Sequence, residues 1–205
     1  MNIAILANQQ QLQEFEKYYS KPAIQTTITN DMANLKGSYD AVFDFLYDNN
    51  LDRILQLQNL KTLVFVNSVT NILDDSTKNF VRFNGWQTMI KRDLWEIAIT
   101  ENNEYYTILN ALQINYVKVP NIVGLLTPRV ISMLVNEAYF ALGEGVSTKK
   151  EIDIAMKLGT NYPYGPFEWS EIIGLKNIVT LLQTLQINDA RYTVANAMLT
   201  EYNIK

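Results

Sequence analysis

Apolar and polar positions along the first 67 residues form short, alternating blocks. Asn2–Ala7 is a β-branched and apolar run, followed by Asn8–Ser20, where Leu12, Phe15, Tyr18 and Tyr19 recur at helical spacing. A strand and then a helix are predicted. Ala23–Thr29, Tyr39–Leu46 and Lys61–Asn67 read as further strands, and Asp52–Leu60 as a helix carrying Ile54, Leu55 and Leu57. Lys61–Asn67 (K-T-L-V-F-V-N) is continuously apolar through its centre, the pattern of a strand covered on both faces. Strands alternating with helices over short connections predict a parallel sheet.

Phe80–Phe83 and Leu94–Thr100 are two more strand candidates, flanking a loop at Asn84-Gly85-Trp86. Glu101–Leu112 reads as a helix, and Asn115–Val119 as a last strand closed by Pro120. Beyond Asn121 every periodic segment is helical, which places a domain boundary at Val119–Val123. The predicted fold class is α/β: a reduced Rossmann-like parallel sheet over residues 1–120, then an all-helical domain over 121–205. Thr127-Pro128 is read as an N-cap and first-turn proline opening a helix to Leu142. Thr148-Lys149-Lys150-Glu151 is a capping box before Ile152–Leu158, with Gly159 as the residue just past the helix end. Gly165-Pro166 starts a short helix ending near Gly174, Leu175–Leu185 is another, and Asn188-Asp189 is expected to cap a terminal helix through Tyr202.

Composition removes chemistry from this frame. The 205 residues include no cysteine and no histidine, which excludes thiolate nucleophiles, Cys-ligated metals, Ser-His-Asp triads and any imidazole proton shuttle within the chain. A net charge of −4 without a basic cluster makes nucleic acid a poor partner. Met1–Ala7 lacks the cationic start of a secretory leader. Val123–Leu142, the most membrane-like stretch, carries Pro128, Arg129, Asn136 and Glu137 near its middle. A soluble, cytoplasmic protein without a membrane partner is expected.

A motif set in the second half carries a family resemblance. Asn136-Glu137-Ala138, Gly145-Val146-Ser147, Ile152-Asp153, Ala155-Met156-Lys157-Leu158-Gly159, Pro163-Tyr164-Gly165-Pro166-Phe167-Glu168-Trp169 and Ile173-Gly174-Leu175 follow one another at characteristic spacings. Together they resemble the C-terminal domain of 3-hydroxyacyl-CoA dehydrogenases, over about Gly124–Leu175. In the first half the resemblance rests on element order, on Tyr39–Leu46, and on Phe83-Asn84 as the F-N of that family's H-F-F-N-P. It implies an acyl-CoA ligand and a homodimer built on the helical domain, with the apolar faces around Val130, Leu134, Tyr139 and Ile173 as either interface or intramolecular core.

The chain departs from the family where the family does chemistry. Its relatives pass a hydride between a 3-hydroxyacyl-CoA and NAD, cradling the pyrophosphate in G-x-G-x-x-G after the first strand. Here that loop reads Ala7-Asn8-Gln9-Gln10-Gln11-Leu12, without a glycine to let backbone approach phosphate. No cofactor is therefore expected; Asp31 is the one acid placed to meet a ribose, and equally a turn residue. The family's histidine base aligns with Val81, leaving Glu96 as a lone candidate acid/base in place of a residue that orients the histidine. Asn67, Asn84 and Arg129 are the candidate substrate contacts. The expectation is a dehydrogenase-like protein of acyl-CoA metabolism that has lost hydride transfer and keeps acyl-CoA binding. The alternatives are an active oxidoreductase using Glu96, Lys91 or a tyrosine, and a ligand-free structural homodimer.

Overall fold

The computed structural model describes residues 1–73, 77–99 and 104–204. They form two compact units, Met1–Leu125 and Leu126–Lys205. In the first unit the order is β1 (Asn2–Leu6), α1 (Gln9–Tyr19), β2 (Gln25–Thr29), β3 (Ala41–Asp44), α2 (Leu51–Asn59), β4 (Leu63–Asn67), β5 (Phe80–Phe83), β6 (Leu94–Ala98), α3 (Tyr105–Leu112) and β7 (Asn115–Val119). The second holds α4 (Thr127–Gly143), α5 (Lys149–Thr160), α6 (Pro166–Ile173), α7 (Leu175–Gln186) and α8 (Asn196–Ile204).

Among the described residues the sheet has seven strands in the order β2-β1-β3-β4-β5-β6-β7. Every neighbouring pair is parallel except β5 and β6, which pair antiparallel at Phe83 and Ile97. The side-chain period of two sorts the strands into two cores. Ile3, Ile5, Phe43, Phe65, Val81, Phe83, Trp95 and Ile97 face α1 and α3, meeting Phe15, Tyr18, Tyr105 and Leu109. Ala4, Leu6, Val42, Val64, Val66 and Phe80 face the other way, onto Leu57 of α2. The continuous apolar run in β4 follows from burial on both faces.

From β1 the chain turns to one side to lay down β2, then crosses back to place β3 on the other side. That reversal makes a topological switch point at the carboxyl ends of β1 and β3, the position where open α/β sheets bind ligands.

In the second unit α4 packs against α6, α7 and α8. Asn136 acts as an internal bracket: its Nδ2 donates to the Thr193 carbonyl at 2.8 Å and its Oδ1 accepts from the Ala195 amide at 2.9 Å. The Thr148 capping box is present, with its side chain accepting from the Glu151 amide.

Several expected boundaries shift. Leu126, not Thr127, is the N-cap of α4, so Thr127 and Pro128 are the first two helical residues. Gly159 lies inside α5; the left-handed residue that ends this helix is Asn161, at φ 55°. Asp189 caps only a short 3₁₀ turn at Ala190–Tyr192, and α8 starts later, at Asn196. The end of the predicted strand at Thr100 and the predicted helix start at Glu101–Asn103 lie outside the described residues.

Candidate functional site at the strand ends

The crevice is built from residues immediately past four strands. Asn8 follows β1 and N-caps α1: its Oδ1 accepts from the Gln11 amide at 2.9 Å, and Gln11 Oε1 accepts from the Asn8 amide at 3.0 Å. This reciprocal box satisfies orphan donors at the helix start. The remaining Gln11 group, Nε2, donates to the Phe45 carbonyl past β3 at 3.2 Å. Asn67, the last residue of β4, donates to the same carbonyl at 3.2 Å and accepts from the Gly85 amide past β5 at 3.0 Å. Gly85 is required there, because a Cβ would lie 2.8 Å from Asn67 Cβ and 2.9 Å from the Phe83 ring. Asn84 accepts from the Trp86 amide through its side chain at 3.3 Å, and its amide donates to the Glu96 carbonyl at 3.2 Å.

Charge at this end of the sheet is mostly buried and internally committed. Asp44 closes β3 fully buried and takes a bidentate fork from Arg53 of α2, with both N···O distances 2.6 Å. Burial pushes its carboxyl above the usual aspartate range, the Arg53 guanidinium opposing that rise. Arg82, buried in β5, donates to the carbonyls of Ser68, Val69 and Ile122 and to Asn121 Oδ1. Burial pulls its guanidinium down to about 10. Asp31 spends its carboxylate on the Ala33 amide at 2.9 Å, capping the turn after β2.

The fold brings Asn67 and Asn84 together at the ends of β4 and β5, with buried Glu96 opposite on the antiparallel β6. Val81 is fully buried on the α1/α3 side of the sheet, within the apolar core. An imidazole in its place would sit in that core. Arg129 belongs to the second unit, where Nη1 donates to Tyr192 Oη at 3.3 Å and the guanidinium lies 5.8 Å over that ring. Of the dimer candidates, Tyr139 and Ile173 are buried within the helical unit, whereas Val130 is 56% exposed. Gln11, Asp44, Arg53 and Arg82 are the strand-end residues that sequence reasoning passed over. Gln11 closes the local Asn8-x-x-Gln11 capping box, a readable signal, whereas the partners of Asp44, Arg53 and Arg82 are carbonyls or side chains outside any local motif.

A mostly parallel sheet whose strand order reverses beside β1, followed by a helical unit, is a Rossmann-like α/β fold with a helical domain after it. Residues 124–202 match the family model of the 3-hydroxyacyl-CoA dehydrogenase C-terminal domain, and the chain is similar to 3-hydroxyacyl-CoA dehydrogenases. It is 48% identical over 63 residues to a 3-hydroxyadipyl-CoA dehydrogenase of Escherichia coli (strain K12), covering 31% of this chain and 13% of that protein. It is 38% identical over 72 residues to a 3-hydroxybutyryl-CoA dehydrogenase of Clostridioides difficile, covering 34% and 26%. Both alignments span well under two thirds of the relatives' lengths. The (S)-3-hydroxybutyryl-CoA dehydrogenase of Ralstonia eutropha shares the fold across 99% of this chain and 93% of its own, with a TM-score of 0.75 and 17% identity.

These relatives correct the expectation that the chain takes no cofactor. They are 3-hydroxyacyl-CoA dehydrogenases, a family that works with NAD, which counts against the reading of the glycine-free loop as excluding a cofactor. The glycine-free loop removes one way of holding a pyrophosphate. It leaves the switch point and the N-terminus of the 11-residue α1, beside which Asn8, Gln9, Gln10 and Gln13 line an open depression of about 450 Å³. The switch point keeps the position at which open α/β sheets bind ligands, while the family's close backbone cradle is absent. No helix among the described residues is long and apolar enough to cross a membrane.

Proposed function

We propose that this chain is a protein of acyl-CoA metabolism that binds an acyl-CoA and an NAD-type dinucleotide but lacks the family's histidine-driven hydride transfer. The observation that carries this reading is the absence of histidine, joined to the place of Val81. The position aligned with the family's base is an aliphatic side chain inside the core. Hydride transfer at a hydroxyl carbon needs a base within hydrogen-bond reach of the hydroxyl proton. Asn67 and Asn84, at the ends of β4 and β5, are the substrate-side polar groups of this reading. NAD, when bound, would be held without accepting a hydride, with the α1 N-terminus favouring its negative charge.

The chain is further proposed to be a homodimer through its helical unit. Leu126, the N-cap of α4, and Val130 one turn on are each 56% exposed, a costly arrangement for large apolar side chains left in water. Binding to the native state raises its melting temperature, so thermal shift with 3-hydroxybutyryl-CoA and with NADH tests the ligand reading. A shift with both, and no NADH formed from 3-hydroxybutyryl-CoA and NAD, supports it. Turnover at an ordinary dehydrogenase rate contradicts it.

A further inference from the structure

Two guanidinium groups of the helical unit converge on one buried phenol. Arg191 Nη2 donates to Tyr192 Oη at 2.8 Å, and Arg129 Nη1 donates to the same oxygen at 3.3 Å. Both acceptor positions of the hydroxyl are thereby taken. Tyr192 is only 5% exposed, and its own O–H proton meets no acceptor among the described residues.

The two cations come from separate segments. Arg129 stands in the first turn of the 17-residue α4. Arg191 lies in the 3₁₀ turn ahead of α8, where Asp189 pairs with its Nε at 2.8 Å and accepts from its amide at 3.0 Å. That pairing holds one edge of the Arg191 guanidinium and leaves Nη2 on the phenol, with Cζ 4.8 Å from the ring centroid. The Arg191 side chain is 65% exposed, so the cluster opens to solvent on its side.

The arrangement is unfavourable by itself. A cation in the first turn of a helix opposes the helix dipole, and a second guanidinium on the same oxygen adds like-charge repulsion. An oxyanion against the cluster offsets both effects and accepts the phenol proton. A phosphoryl group, with three oxygens and a charge of about −1.5 to −2, matches two guanidiniums and a hydroxyl better than the two oxygens of a carboxylate.

We propose that Arg129, Arg191 and Tyr192 form a phosphoryl-binding site on the helical unit, in which the Tyr192 hydroxyl donates to the ligand and the two guanidiniums neutralise it. All three residues belong to the second unit. The site stands whether or not the strand ends of the first unit take a ligand.

The test is calorimetric titration of inorganic phosphate, at ionic strength matched with chloride, into the full chain and into Tyr192→Phe, Arg191→Gln and Arg191→Lys. Melting curves without ligand establish that each variant is folded. The wild type is expected to bind one phosphate per chain saturably. Tyr192→Phe, which removes a single donor, is expected to bind on the order of tenfold more weakly, and Arg191→Gln more weakly again. Arg191→Lys keeps the charge without the fork and is expected to fall between wild type and Arg191→Gln. A parallel titration with adenosine 3′-monophosphate separates the two sources of a phosphoryl group. Binding of both ligands assigns the site to the phosphorylated end of a larger molecule, and binding of phosphate alone assigns it to the free ion. No saturable binding of either ligand by the wild type overturns the proposal, as does binding that Tyr192→Phe and Arg191→Gln leave unchanged.

Discussion

The Asp153 carboxylate occupies the volume that a side chain on Gly165 would need: a Cβ there would lie 2.3 Å from Asp153 Oδ1. The carboxylate then accepts from the Phe167 amide at 2.8 Å and the Glu168 amide at 3.3 Å, capping α6 from outside the helix. Glu168 returns to the Gly165 amide at 2.9 Å and pairs with Lys157. The sequence blocks around Ile152-Asp153 and Pro163–Trp169 are therefore one folding device. Glycine makes room, aspartate caps, and proline presets the first turn.

Gly165→Ala is expected to expel Asp153 from this cap and destabilise the helical unit by about 2 kcal/mol or more, since a lost cap and overpacking combine. Asp153→Ala, which leaves space instead of a clash, should cost about 1 kcal/mol. Denaturant unfolding of both variants checks the order; equal losses would separate Gly165 from the cap.

Arg53→Met leaves the buried Asp44 carboxylate without its counter-charge, a change expected to cost about 3–5 kcal/mol at neutral pH. Burial already raises the Asp44 carboxyl, and loss of Arg53 raises it further. A carboxyl raised in the folded state keeps its stability contribution below its unfolded value and loses it as pH rises through the folded value. The deficit of Arg53→Met should therefore shrink as pH falls into the carboxylate range. Melting curves at pH 7 and near pH 4 compare the two chains.

Arg82→Ala strands the carbonyls of Ser68, Val69 and Ile122 and the Asn121 carboxamide, all of which now receive guanidinium donors. Buried acceptors without partners cost about 1–3 kcal/mol each where water cannot reach them, so a loss of about 3 kcal/mol is expected. Arg82→Met, which fills the volume, should recover only part of it. Full recovery in chemical denaturation would mean that packing, rather than the carbonyl clamp, is what Arg82 contributes.

Val81→His is expected to destabilise the first unit by about 1–3 kcal/mol and to restore no turnover, because the new ring enters the core formed with Phe65 and Phe83. Detectable NADH formation from 3-hydroxybutyryl-CoA and NAD in this variant would place residue 81 at the reacting carbon.

Much of this architecture was legible as periodicity. The alternating blocks through Asn67 located β1, α1, β2, β3, α2 and β4 to within about two residues, because both faces of the sheet are covered and apolar patterning decides burial. The antiparallel β5–β6 pair was not legible, since direction is set by the chain's path through Gly85–Asp93 and not by strand composition. Gly159 misled because Asn161 supplies the left-handed conformation at the end of α5. At the crevice, Asn67 and Asn84 emerged from resemblance. The seam that joins Asn67 to Gln11 runs through the Phe45 carbonyl, a group every residue carries, and Glu14 meets Thr88 across 74 positions. The glycine-free loop was read as loss of cofactor; it describes how a phosphate is held, which is a narrower statement than whether one is.

The most direct test of the central claim is a paired measurement on the wild-type chain: calorimetric titration with 3-hydroxybutyryl-CoA and with NADH, and a spectroscopic assay of NADH formation from that substrate and NAD. The account predicts saturable binding of both ligands and no turnover above background. Turnover at rates typical of dehydrogenases, about 1–10³ per second, would contradict it. So would a failure of either ligand to bind.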